Sequence, residues 1–191
     1  MIMKVKGLLV AAAAAMLCFG AQNASAIESP NHEGDFFLNI QGGMFSEYNG
    51  GLGASVSGDY VLVNSWWKGH FTIGGFVGTS TSKDEYKING QKVYDERFTN
   101  FSIMARATYG LNITDRFEVH AGAMTGPVFH SWKYKYENGA TVDHADDHEF
   151  IFSGAGVAGI HFMLSDAFAL TSEFIAGPHQ TYFNAGISFK F

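Results

Sequence analysis

From Asp35 to Phe191, apolar and polar side chains take turns along the chain, the two-residue period that gives a β-strand one greasy face and one wet face. The pattern is cleanest at the end, where Phe183, Ala185, Ile187, Phe189 and Phe191 alternate with Asn184, Gly186, Ser188 and Lys190. It also runs through Phe36, Leu38, Ile40 and Met44 against Asn39, Gln41 and Gly43, and through Leu52 to Leu62 around Ser55, Ser57 and Asp59. It returns at Phe71, Ile73 and Val77, then from Phe101 to Leu111, then at Val119, Ala121 and Ala123. Phe150, Phe152, Ala158, Ile160 and Phe162 carry a further strand, and Phe168, Leu170 and Phe174 another. The pattern predicts eight strands and an all-β fold.

Turn signals sort these strands into two alternating sets. Asn49-Gly50, Asn89-Gly90 and Asn138-Gly139 follow strands one, three and five, and Asn-Gly is a strong hairpin dipeptide. Strands four and six instead end in two copies of one short turn, Ile113-Thr114-Asp115-Arg116-Phe117 and Leu164-Ser165-Asp166-Ala167-Phe168. One end therefore carries the long charged connections, Ser82 to Glu96 and Lys133 to His148, and the other end tight turns. Long outer loops and short periplasmic turns are the membrane-barrel arrangement.

The polar face distinguishes a soluble barrel from a membrane barrel. A hydrated exterior would be rich in Lys, Glu and Arg, whereas mid-strand this face offers Gly, Ser, Thr, Asn and His with isolated charges. It reads as a packed polar interior, with the apolar face turned to lipid. Aromatic residues cluster where headgroups would lie: Tyr60, Trp66, Trp67, Phe117, Phe168 and Phe191 near the short turns, and Trp132, Tyr134 and Tyr136 near the long loops. An open sheet edge in hydrocarbon would strand unpaired backbone groups, so the strands must close. Residues 35–191 are expected to form an eight-stranded antiparallel up-and-down transmembrane β-barrel.

Lys4 and Lys6 precede an apolar run from Leu8 to Gly20, and Ala24-Ser25-Ala26 supplies a small-x-small cleavage site. Residues 1–26 are expected to be a signal peptide, with 27–34 a short segment ahead of the barrel. The single cysteine, Cys18, falls inside that peptide, so the processed chain would have neither a disulfide nor a thiolate ligand. Its removal also takes two of the 12 basic residues while all 18 acidic ones remain. That balance argues against a nucleic-acid partner.

The signal peptide, the alternating strands and the terminal Phe189-Lys190-Phe191 together resemble the small outer-membrane barrels of the OmpA transmembrane, OmpX and opacity-protein type. Ile187, Phe189 and Phe191 look like the C-terminal signal those families present to the outer-membrane insertion machinery. The resemblance implies export to the outer membrane, contact with its lipid and lipopolysaccharide, and no cofactor.

Several constellations could carry chemistry. Asp59, Arg106, Glu118, Glu173 and Lys190, with His70, His120 and His161, all fall on the polar face. An eight-stranded interior is just filled by side chains, so these residues are expected to plug the lumen as a polar network, with Arg106 paired to Glu173 or another of the carboxylates. His144, Asp146 and His148 offer imidazole and carboxylate ligands, although a solvated charged loop is the ordinary reading. Gly154-Ala155-Gly156-Val157-Ala158-Gly159 imitates a dinucleotide fingerprint, yet its flanks keep the strand period and its glycines suit a bent strand. Barrels that deacylate lipid A use a His-x-Ser motif, from which His179-Gln180-Thr181 departs, and His130 and Ser131 are adjacent and so face opposite sides of a strand. The leading expectation is a non-enzymatic surface protein whose barrel anchors loops that contact host or envelope components. A narrow pore for small solutes is the alternative, with lipid A modification behind it.

Overall fold

A computed structural model describes residues 29–46, 51–88, 91–136, 141–143, 149–177 and 180–191; the expected signal peptide lies outside them. The strands are β1 (Phe36–Ser46), β2 (Leu52–Trp66), β3 (Gly69–Ile88), β4 (Gln91–Thr114), β5 (Phe117–Tyr136), β6 (Thr141–Asp143), β7 (Glu149–Ser165), β8 (Phe168–Ala176) and β9 (Thr181–Lys190). Eight of them form a closed ring in which β5 pairs with β7 and β9 returns to β1. The three-residue β6 is additional and pairs with β5 from Lys133↔Asp143 to Lys135↔Thr141. All pairings are antiparallel, so the fold is an up-and-down barrel with no open edge in its wall.

The seam joins the first strand to the last from Phe37↔Lys190 to Ser46↔Thr181. At its foot, the Phe36 amide donates to the Phe191 carbonyl at 3.0 Å and the Phe191 amide donates back to Phe36 at 2.9 Å. The short-turn rim is built from tight turns, of which the one after β4 carries the predicted signal and the one after β2 does not. Trp67 and Lys68 make a two-residue turn with φ of 52° and 66°, the double left-handed geometry that matches the twist of a hairpin. Neither is glycine, and the Tyr109 hydroxyl steadies the turn by donating to the carbonyls of Trp66 and Trp67. At the next short turn the Thr114 hydroxyl accepts from the Arg116 and Phe117 amides, at 3.3 and 3.0 Å.

Strands β3 and β4 run well past the predicted boundary. Ser82 to Glu96, expected to be a loop, continues as paired strand through Ser82↔Phe98, Lys83↔Arg97, Asp84↔Glu96, Glu85↔Asp95 and Tyr86↔Tyr94. Likewise β5 extends to Tyr136. Backbone pairing continues where apolar alternation stops, because charged outward side chains are compatible with a strand that is no longer buried on that face.

Ile40, Val56, Ile73, Val77, Ile103, Ile160 and Leu170 are exposed on the outer wall. Between them along the strands, Asn39, Ser57, Thr72, Arg106, Glu118, Thr171 and Glu173 are buried inside. Apolar side chains point out and polar ones in, the reverse of a soluble barrel.

Candidate functional site

Alternation along β2, β4, β5, β7 and β8 aims Asp59, Arg106, Glu118, His120, His161 and Glu173 into the short-turn half of the lumen, and all six are buried. The Arg106 guanidinium bridges two carboxylates, with Nε 2.8 Å from Asp59 Oδ1 and Nη2 2.8 Å from Glu173 Oε1. Its Nη1 also donates to the Ser57 hydroxyl at 3.3 Å. Glu173 Oε1 is 3.0 Å from His120 Nε2. One turn-ward layer down, Glu118 Oε1 lies 3.2 Å from His161 Nδ1, and Glu118 Oε2 lies 3.6 Å from His70 Nε2. Small neighbours make room for these side chains. A Cβ on Gly159 would stand 2.6 Å from His120 Nε2 and 2.7 Å from Glu173 Cγ.

The polar interior expected from the sequence is interrupted partway up the barrel by an apolar layer. Above Arg106, Phe76, Met104, Met124, Val128, Ala155, Val157 and Ile175 form one buried apolar cluster across the lumen. Met104 falls on the face the period reads as polar and Phe76 on the lumenal side with His70, and each is a single apolar residue between small or polar neighbours on the inward face. Higher still, Ser102 donates to Gln180 at 3.2 Å, and His130 pairs with Asn100.

Two further elements were not read from the sequence. Phe37 points inward rather than joining the outer face, and its ring stacks on His161 at 5.5 Å and His70 at 6.5 Å. The segment before β1 folds under the barrel as a strap: Asn31 is buried, and its amide nitrogen donates to Glu118 Oε2 at 3.0 Å while Lys190 Nζ donates to its carbonyl oxygen at 3.0 Å. Ser29 hydroxyl and His70 Nδ1 are 3.1 Å apart. Lys190, expected in the lumenal network, sits at the mouth and pairs with Asp35 at 2.8 Å. Partial burial works against the charge on Asp35, but the Lys190 ammonium and the His32 backbone amide outweigh it and hold the carboxyl below the usual aspartate range.

Tyr60 and Trp66 are exposed on the outer wall by the short-turn rim, Trp67 is exposed in the turn itself, and Phe191 is exposed beside them. Trp66 packs edge-on against Phe71 and Tyr109. Trp132 departs from the expected belt. It lies on the inward face of β5, edge-on to the His130 ring at 4.1 Å, because it shares the period of buried Val128 and His130. The side chains of Tyr134 and Tyr136 lie outside the described residues, as do His144, Asp146 and His148. Ile187 and Phe189 face outward on β9, with Phe189 5.5 Å from Phe168. Gly154 to Gly159 lies within the unbroken strand β7, with no helix after it. His130 is buried while Ser131 shares the outward face with Thr99, so the two do not meet; His179 lies outside the described residues.

The chain matches no protein-family model and no curated protein sequence. Its fold is found among solved structures. It is similar to the crystal structure of Ail, the attachment invasion locus protein of Yersinia pestis, in complex with the heparin analogue sucrose octasulfate, with a TM-score of 0.50 and 15% identity over 84% of this chain and 100% of that one. The structure of Ail in a phospholipid bilayer nanodisc gives a TM-score of 0.50 and 15% identity over 83% of this chain and 100% of that one. At this identity the likeness is one of fold: a small eight-stranded barrel of the outer-membrane type.

Proposed function

We propose that the protein is an outer-membrane surface protein, exported by a cleaved signal peptide, in which a sealed barrel anchors extended strands that project from the cell. The observation that supports this most is the inside-out barrel. Exposed Ile, Val, Leu and Phe cover the wall, while ion pairs and an apolar cluster fill the bore. A pore needs continuous water through the lumen, and Phe76, Met104 and Arg106 lie across that path. Fractionation should place the protein with the outer membrane, and planar bilayers carrying it should show no steady conductance. A stable open channel would refute the anchor reading in favour of the pore.

The projecting strands carry a feature suited to an anionic partner. Lys83, Arg97 and Lys133 stand opposite one another on β3, β4 and β5, and all three are exposed. They sit four residues beyond the outward Phe101 along β4, about 13 Å along the strand, the height of headgroups above a hydrocarbon core. Lys83 and Arg97 are like charges directly opposite each other, an arrangement that costs stability and that multivalent phosphate offsets, while Lys133 also stands opposite Asp143 on β6. Lipopolysaccharide phosphate at the outer leaflet is the partner this row fits. The heparin analogue bound in the Ail complex is also a polyanion, but here the support is the row itself. Replacing all three residues with Gln should weaken retention on lipopolysaccharide micelles in a salt-dependent way. Unchanged retention would remove the row from the proposal.

A further inference from the structure

Three members of the lumenal network also converge as a set of candidate metal ligands. Glu118 and His120 on β5 and His161 on β7 each bring a ligand atom within 4.8 Å of the other two, and all three side chains are buried. His161 Nδ1 is 3.2 Å and His120 Nδ1 3.8 Å from the same oxygen, Glu118 Oε1. Two ligand bonds of about 2.0 to 2.1 Å meeting at a tetrahedral angle set their atoms roughly 3.3 Å apart. Those two spacings are therefore within about half an ångström of that around a single small cation, and the ligand atoms of the two histidines lie within 4.8 Å of each other.

Three further observations point the same way. His120 Nδ1, the atom that faces Glu118 Oε1, is fully buried and makes no hydrogen bond, a state that native interiors rarely leave unexplained. The other nitrogen of His120 faces Glu173 Oε1 at 3.0 Å, and Glu173 is itself clamped by Arg106. That carboxylate orients the imidazole with Nδ1 towards Glu118, as outer carboxylates orient metal-binding histidines. Finally, Asp59 and Glu173 share the one guanidinium of Arg106, while buried Glu118 faces His70, His120, His161 and the Asn31 side-chain amide. Sealed negative charge in excess is unfavourable, and a divalent ion cancels it.

We propose that Glu118, His120 and His161 bind a divalent transition-metal ion of the zinc class at the base of the lumen, cross-linking β5 to β7. Imidazole and carboxylate donors suit that class. Asn31 already occupies Glu118 Oε2, which leaves Oε1 for the ion and places the strap as the cover on the mouth side. Glu173 is a positioning residue that acts through His120.

The test uses the intact barrel in detergent, stripped with chelator, then titrated with cobalt(II) as a spectroscopic stand-in and competed with zinc. One cobalt per chain is expected, with visible absorption bands that zinc abolishes. Paramagnetically shifted imidazole signals from two histidines should appear in the proton spectrum. H120Q and H161Q should each lower affinity at least tenfold, E173Q should lower it by about 10- to 100-fold, and H144A/H148A should leave it unchanged. No cobalt uptake by the parent barrel, whether metal is added during refolding or afterwards, would overturn the proposal. Uptake that survives in folded H120Q and H161Q would do the same, since the ion would then sit elsewhere. Where those variants fail to fold, the parent's cobalt spectrum decides: two shifted imidazoles support the site, and none refutes it.

Discussion

Arg106→Ala is the perturbation that bears most directly on how the barrel is held together. The guanidinium is 1% exposed and contacts Asp59 and Glu173, themselves 5% and 0% exposed, at 2.8 Å each. Removing one member of a buried pair typically costs about 3 to 5 kcal/mol, because the surviving charge is left without a partner or water. Here two carboxylates lose the same partner, and proton uptake by one of them limits the damage, so a loss of about 3 to 5 kcal/mol is expected. The matched control is Arg106→Met with Asp59→Asn and Glu173→Gln, which removes the charges together. It should recover most of the loss, since a well-packed neutral replacement for a buried pair is often close to neutral in energy. Urea midpoints of barrels refolded into vesicles, read by the mobility difference between folded and unfolded protein on electrophoresis, give both numbers. If Arg106→Ala falls within about 1 kcal/mol of the parent, the ordinary range for surface changes and mild truncations, or if the triple variant is worse than the single, the reasoning fails.

Other expectations are simpler to state. Gly159→Ala should cost about 1 to 3 kcal/mol, because the added methyl meets His120 and Glu173; calorimetry showing an unchanged unfolding temperature would contradict this packing. The clamp between Asp35 and Lys190 should depend on pH in one direction. Since the folded-state pKa of Asp35 is depressed, its contribution is complete above the ordinary aspartate value of about 3.9 and is lost as pH falls through the lower folded value. Hydrogen exchange at the Gly34 amide, which donates to Val61, should accelerate in that acid window. In Asp35→Asn the same exchange should show no such step. Lys83→Gln with Arg97→Gln and Lys133→Gln should leave the barrel as stable as the parent or slightly more so while lipopolysaccharide retention falls; a marked loss of stability would mean that the row serves the fold.

What the sequence disclosed follows from where lipid imposes its pattern. The apolar beat identified all eight barrel strands because each must present an unbroken greasy side over the same height. It failed beyond that height: Lys83, Asp84 and Glu85 read as loop although they are paired strand, since no solvent contrast remains to mark them. The lumenal charges stood out as rare ions on a small-residue face. Phe76 and Met104 fall on the inward side by the same period, whereas Phe37 did not stand out, because an isolated inward ring beside the outward Phe36 cannot be told by period from one that breaks the rhythm. The strap at Asn31 was invisible for another reason: Ser29, Pro30 and Asn31 have no periodicity, and only the position of Glu118 and Lys190 beneath the barrel gives them partners.

The seam has a mechanical consequence. Phe36 and Phe191 leave the cylinder side by side at one rim, and β1 and β9 run antiparallel above them. A force drawing the two ends apart therefore loads one rung at a time, starting at the Phe36 and Phe191 hydrogen bonds, and never the whole row in shear. Pulled from its termini, the cylinder should open like a zip at low force, however resistant it is to heat.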